Sequence, residues 1–126
     1  NNIALNLQLD EALPTIRTDG SQVQQVLLNL IENALDAVGA DGQIDIITKR
    51  TKDELHIQIA DNGPGIKPEV MKKLWEPFFT TKEPGKGTGL GLSICSDIAH
   101  KLGGAITAEN RPQGGAVFTL KLPLRG

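Results

Sequence analysis

A single cysteine, Cys95, leaves this 126-residue chain without the means for an internal disulfide. It stands among Leu92, Ile94, Ile98 and Ala99 and reads as a core residue; a reduced, cytoplasmic compartment fits such cysteine usage. Histidine is nearly as scarce. His56 and His100 lie far apart with no other ligand-type residues beside them, which argues against a zinc-type site. No apolar run approaches the ~18 residues that would suggest a membrane span, and no signal-peptide pattern opens the chain. No block of Lys or Arg stands out either: 13 basic residues face 15 acidic ones for a net charge of −2. Duplex nucleic acid, which needs a concentrated basic face, is therefore not an expected partner. The chain opens on Asn1-Asn2 without a starting Met, which predicts a piece of a longer protein, whether or not that parent is membrane-anchored.

What is present is ordinary for one soluble domain spanning 1–126: 39% hydrophobic and 22% charged residues, enough apolar content for a core. Ile3, Leu5, Leu7 and Leu9 alternate with polar residues and predict a half-buried strand. Asp19, with Gln22 three residues on, predicts a helix N-cap. Val23, Val26, Leu27, Leu30, Ile31, Ala34, Leu35 and Val38 then recur at helical spacing until Gly39 and Gly42. Two strands follow, carried by Ile44, Ile46 and Thr48 and by Leu55, Ile57 and Ile59, with Thr51-Lys52-Asp53 as a hairpin turn. Pro68 to Leu74 predicts a short helix with proline near its start. Thr80 to Gly89 is loop-like in its Pro and Gly content. A helix from Leu90 to Leu102 and strands at Ala105–Asn110 and Ala116–Leu122 complete the chain. Because strand and helix do not alternate throughout, a doubly wound sheet is disfavoured. The expected fold is α+β, a two-layer sandwich whose mixed, mostly antiparallel sheet is covered on one face by three helices.

Three segments carry residue types that bland packing does not explain. On the long helix, at ~100° per residue, Gln22, Gln25, Asn29, Asn33 and Asp36 share one stripe. A solvated face would favour Glu, Lys or Arg, and Asn is a poor helix former. An amide oxygen is a neutral hard ligand suited to Mg²⁺ that keeps most of its water and phosphate oxygens. Directly after a strand comes Asp61-Asn62-Gly63-Pro64-Gly65. A tight turn accounts for the glycines, but a carboxylate at a strand end beside them can accept a hydrogen bond from an exocyclic amine, which distinguishes adenine from guanine. Gly87-Thr88-Gly89-Leu90-Gly91-Leu92 opens a helix, where backbone amides and the helix N-terminus favour phosphate. It is neither the dinucleotide fingerprint nor a P-loop, lacking the surroundings of both.

Taken in order, Asn29-Leu30-Ile31-Glu32-Asn33-Ala34-Leu35-Asp36-Ala37, Asp61-Asn62-Gly63-Pro64-Gly65, Glu76-Pro77-Phe78-Phe79-Thr80-Thr81-Lys82 and Gly87-Thr88-Gly89-Leu90-Gly91-Leu92 closely resemble the asparagine, first glycine, phenylalanine and second glycine boxes of histidine kinase catalytic domains. Gly114-Gly115-Ala116-Val117-Phe118 resembles the family's last glycine motif, so the resemblance covers nearly the whole chain. It implies the Bergerat ATP-binding fold, shared with gyrase-type topoisomerases, MutL and heat-shock chaperones. It implies that ATP and Mg²⁺ are bound, with Asn33 on the metal, Asn29 near the phosphates and Asp61 on the adenine amine. Gly63, Gly65 and Ile66 would shape the pocket, with Asp36, Thr81, Gly87, Thr88, Gly89, Leu90, Gly91, Leu92 and Thr119 at its margins. Thr80 to Gly87 would be the ATP lid, Lys82 either reaching a phosphate or standing solvated. Phe78 and Phe79 would anchor the lid base, and Trp75 would serve packing. The Phe-Phe-Thr-Thr-Lys form resembles nitrogen-regulator sensor kinases.

Hydrolytic relatives place a glutamate, as general base, four residues before the metal asparagine. Here that position is Asn29, which cannot take a proton, so slow hydrolysis and transfer to another nucleophile are expected. Glu32 could assist or be a surface carboxylate. Neither His56 nor His100 has the surroundings of the family's phospho-acceptor. The resemblance thus implies partners: a helical dimerisation domain carrying that histidine, and a response regulator. It implies no direct membrane contact, and the isolated domain is expected to be a monomer. Competing readings are an ATP-driven clamp of the topoisomerase or mismatch-repair kind, an anti-sigma serine kinase, and a nucleotide-binding domain without transfer activity.

Overall fold

A computed structural model describes residues 4–8, 20–38, 42–76 and 91–124. The described elements are β1 (Ala4–Gln8), α1 (Gly20–Val38), β2 (Gln43–Arg50), β3 (Glu54–Asp61), α2 (Pro68–Met71), α3 (Gly91–Lys101), β4 (Ala105–Asn110) and β5 (Ala116–Pro123). The strands form one sheet in the order β1-β2-β3-β5-β4. β1 runs parallel to β2, and the other three pairings are antiparallel. Order and type of every expected element are found. Asp19, the expected cap of α1, and the loop expected from Thr80 to Gly89 lie outside the described residues.

Period-two alternation decides which face is covered. Leu55, Ile57, Ile59 and Asp61 of β3 are buried on one side, as are Ala116, Phe118, Leu120 and Leu122 of β5. α1 and α3 pack over that side and against each other. Val26, Leu30 and Ala34 of α1 and Cys95, Ile98 and Ala99 of α3 meet it to make the core. α2 is shorter than expected: four helical residues, after which non-helical turns bring Leu74 into the core and Trp75 edge-on to Phe118, ring centroids 6.1 Å apart. The packing role expected of Trp75 is thereby seen. Leu35 departs from expectation. It and Leu28 are the large apolar side chains left exposed among the described residues, at 41% and 54%. At ~100° per residue both point away from the arc centred on Val26, Leu30 and Ala34.

The β2–β3 hairpin closes as expected at Thr51–Asp53. Thr51 N–H donates to the Glu54 carbonyl at 2.9 Å, and Glu54 N–H donates to Thr51 Oγ1 at 3.1 Å. At the far end of the same pair the strands deliver Asp61 and, from β5, Ala116 to one edge of the sheet.

Candidate functional site

Asp61 ends β3 on the helix-covered face and is only 2% exposed. A carboxylate so deeply placed is costly unless its oxygens are engaged. Its Oδ1 accepts from Gly63 N–H at 2.9 Å and from Ala116 N–H at 3.3 Å. Both donors go to one oxygen, and no donor among the described residues reaches Oδ2. No buried side-chain oxygen or nitrogen among those residues lacks a partner. The two amides thus fix the orientation of a buried carboxylate, an arrangement able to take a hydrogen bond from an exocyclic amine.

The backbone around Asp61 is drawn close by glycine. Gly115 has φ +92°, and a β-carbon there would lie 1.9 Å from the Asp61 carbonyl oxygen. The strand β5 can approach the end of β3 only because that atom is missing. Gly63 lies against the last turn of α1, where an added β-carbon would sit 2.8 Å from the Ala37 carbonyl oxygen. Asn33 lies one turn earlier on that helix. The loop that follows Asp61 and the polar stripe of α1 thus border the same edge of the fold.

Along that stripe Gln22, Asn29 and Asn33 are half-buried, while Gln25, Glu32 and Asp36 are exposed. Asn29 faces α3 near the Cys95 thiol, whose Sγ donates to the Val26 carbonyl at 3.8 Å. Burial pushes the Cys95 thiol above its ordinary value, partly offset by the hydrogen bond from Asn29 and one from its own backbone. The cysteine expected in the core is there, near the amide that precedes Asn33 by one turn. Among the described residues no group of three or more His, Cys, Asp or Glu could hold a metal ion. Asn33 offers a neutral amide oxygen, a ligand type that suits hydrated, phosphate-bound Mg²⁺.

The remaining expected site residues divide three ways. Gly65 and Ile66 follow Asp61 in the same loop, half-buried. Gly91 opens α3, and Leu92 packs against the core. Thr81, Lys82, Gly87, Thr88, Gly89 and Leu90, and with them the expected lid, lie outside the described residues. Thr119 is set apart from the rest: it pairs with Gln58 and Thr107 in the sheet, and its hydroxyl accepts from Gln58 Nε2 at 3.4 Å. Residues 116, 118 and 120 face the helices, so 119 faces the other way, opposite to Asp61. The β5 group that does touch Asp61 is the Ala116 amide.

Sequence reading missed two residues at this edge. Asn110, read there only as a strand end, and Arg111, given no role, bond directly to the Asp61–Ile66 segment. No local motif announces them, since their partners are backbone atoms more than forty positions away.

Residues 18–126 match the family described as histidine kinase-, DNA gyrase B-, and HSP90-like ATPase. The sensor histidine kinase ZraS of Klebsiella oxytoca is 38% identical over 125 residues, covering 98% of this chain and 27% of that protein. The catalytic domain of histidine kinase ThkA superposes with a TM-score of 0.88 at 37% identity, covering 99% of this chain and 82% of that one. ThkA in complex with response regulator protein TrrA superposes with a TM-score of 0.81 at 33% identity, covering 97% of this chain and 34% of that one. The chain spans between about an eighth and about a quarter of the curated relatives it matches. Five strands in this order, two helices on one face, and a buried carboxylate against the asparagine-bearing helix agree with these likenesses: the chain belongs to the histidine kinase-, gyrase B- and HSP90-like ATPase family and has the Bergerat-type fold of the ATP-binding catalytic domain of a two-component sensor histidine kinase.

Proposed function

We propose that this domain binds ATP with Mg²⁺ and donates the γ-phosphate to a histidine on a separate helical dimerisation domain, from which a response regulator takes it. The observation that carries the nucleotide part is the buried carboxylate of Asp61, one oxygen of which is fixed by two backbone amides. An adenine amine placed there donates to a carboxylate that is already oriented, whereas guanine offers a carbonyl oxygen and is repelled. Asn33 would hold Mg²⁺, which would neutralise phosphate charge. Asn29, half-buried on the same helix, would lie beside the phosphates. Lys82, Thr81 and the run from Gly87 to Leu92 would close over them.

Transfer rather than hydrolysis follows from Asn29. An amide cannot deprotonate water, so γ-phosphate persists until a better nucleophile arrives. Glu32, exposed on the same helix, would face that nucleophile. The coupling of ThkA to TrrA supports a response regulator as the final acceptor. The nitrogen-regulator character rests on Phe78-Phe79-Thr80-Thr81-Lys82 alone. No helix among the described residues is long and apolar enough to cross a membrane.

The test is transfer in trans. Incubated with γ-labelled ATP, Mg²⁺ and a helical acceptor domain, the chain should label that domain in acid-labile, alkali-stable form. Label released as free phosphate at the same rate with or without the acceptor would overturn the reading.

A further inference from the structure

The β4–β5 turn contacts the Asp61 loop at both of its ends. Asn110 lays its side-chain amide against the backbone of Ile66: Oδ1 accepts from Ile66 N–H at 2.7 Å, and Nδ2 donates to the Ile66 carbonyl at 2.8 Å. One amide thus satisfies both backbone groups of a loop residue, in the manner of a neighbouring strand. The fit is close, since a β-carbon on Gly65, whose φ is +83°, would stand 3.0 Å from Asn110 Oδ1. At the loop's other end Arg111 Nη1 donates to the Asp61 carbonyl at 3.0 Å. The same guanidinium reaches back to Asp45 Oδ2 on β2 at 3.6 Å, so the carbonyl is held by a group anchored across the sheet. Arg111 N–H donates to Gly115 O at 2.8 Å, which fixes the turn that also supplies the Ala116 amide to Asp61 Oδ1.

We infer that Asn110 and Arg111 are positioning residues for adenine selectivity: they clamp the two ends of the Asp61–Ile66 segment and so set where the Asp61 carboxylate points. This rests on the adenine role proposed for Asp61. The argument is geometric. A hydrogen bond loses most of its strength when its angle falls away from linear, and discrimination by a buried acceptor depends on the wrong base leaving that acceptor unpaired. A loop free to shift would let Asp61 turn, and adenine and guanine nucleotides would then be told apart less well. Among the described residues the two side chains bond to the Asp61–Ile66 segment and to Asp45, not to α1, so phosphate affinity is expected to be set independently.

The experiment measures binding of ATP, GTP and inorganic tripolyphosphate, each with Mg²⁺, to the chain and to Asn110→Ala, Arg111→Lys and Asp61→Asn by calorimetry, with thermal melts alongside. Asn110 is exposed, so its truncation should leave the fold standing. Asn110→Ala should weaken ATP roughly tenfold, about what one well-placed hydrogen bond contributes, while tripolyphosphate is bound as before and the ATP-to-GTP preference shrinks. Arg111→Lys, which keeps one donor but loses the fork to Asp45, should fall between. An unchanged ATP-to-GTP ratio in Asn110→Ala overturns the inference, as does equal weakening of all three ligands, which would mark a merely structural role. Should Asn110→Ala fail to fold, Arg111→Lys is read by the same criterion. Lack of any ATP preference in the unaltered chain, or its survival in Asp61→Asn, strikes the adenine reading itself and is distinguishable from failure of the clamp alone.

Discussion

Asp61 concentrates the chemistry of this fold in one side chain. Its Oδ1 is bound by two amides, and its backbone carbonyl is bound by Arg111, so replacing it with Asn keeps the shape while putting a donor or a weaker acceptor where the adenine amine is proposed to arrive. Asp61→Asn is expected to weaken ATP at least about tenfold by calorimetry, since a mispaired buried polar group costs upward of 1 kcal/mol. Affinity equal to the unaltered chain would remove the assignment. Cys95 makes a prediction of a different kind. Burial raises its thiol pKa above the ordinary 9.0. The unfolded chain therefore loses this proton first, and the folded state is penalised once pH passes that value. Stability should be insensitive to Cys95 near neutrality and should decline as pH rises above about 9. Cys95→Ala should show a flatter decline in denaturant melts between pH 8 and 10, and an identical slope would contradict the burial argument.

At the scale of elements, α1 does two jobs on two arcs. One arc, Val26, Leu30 and Ala34, is fully buried; the next carries Asn29 and Asn33 beside the Asp61 loop. Leu30→Ala should cost about 2–5 kcal/mol, whereas Leu28→Ser, on the exposed arc, should stay within about 0.5 kcal/mol; urea melts of the two separate buried from outward face. The β4–β5 turn is the second decisive element. Gly115→Ala combines a left-handed backbone with a β-carbon placed 1.9 Å from the Asp61 carbonyl, so a loss of about 2–5 kcal/mol and displacement of the Ala116 amide are expected. These elements differ in legibility. The helical repeat of α1 and the alternation in β3 and β5 are local signals, and they are found where the residue pattern puts them. Leu35 was counted with the core because it is apolar at nearly the right spacing; its angle on the helix decides otherwise. Thr119 is placed at the pocket's margin by the resemblance alone, while strand parity turns it to the face opposite Asp61. Asn110 and Arg111 were invisible because pairing of side chain with distant backbone leaves no periodic trace.

For the molecule as a whole, the sheet order brings the end of β3, the turn before β5 and the polar arc of α1 to one edge, while the hairpin at Thr51–Asp53 closes the other end. This arrangement explains why motifs scattered from residue 29 to residue 116 read as one site. It also frames the choice between transfer and hydrolysis. Asn29→Glu would install a carboxylate one helical turn before Asn33, in the place of a general base. Steady-state ATPase assays should register an increase of roughly tenfold or more, the lower end of what a positioned base contributes being about a hundredfold. No increase would mean that position 29 does not face the attacked phosphate.

The central claim is that one pocket joins a metal-bearing amide on α1 to the carboxylate at the end of β3. Calorimetric titration of the chain with ATP, in Mg²⁺ and again in chelator, against Asn33→Ala and Asp61→Asn, tests it most directly. Saturable one-to-one binding is predicted that weakens when Mg²⁺ is removed, with Asn33→Ala abolishing the Mg²⁺ dependence and Asp61→Asn weakening binding in both conditions. Absence of heat with the unaltered chain, or both variants binding as it does, would contradict the account.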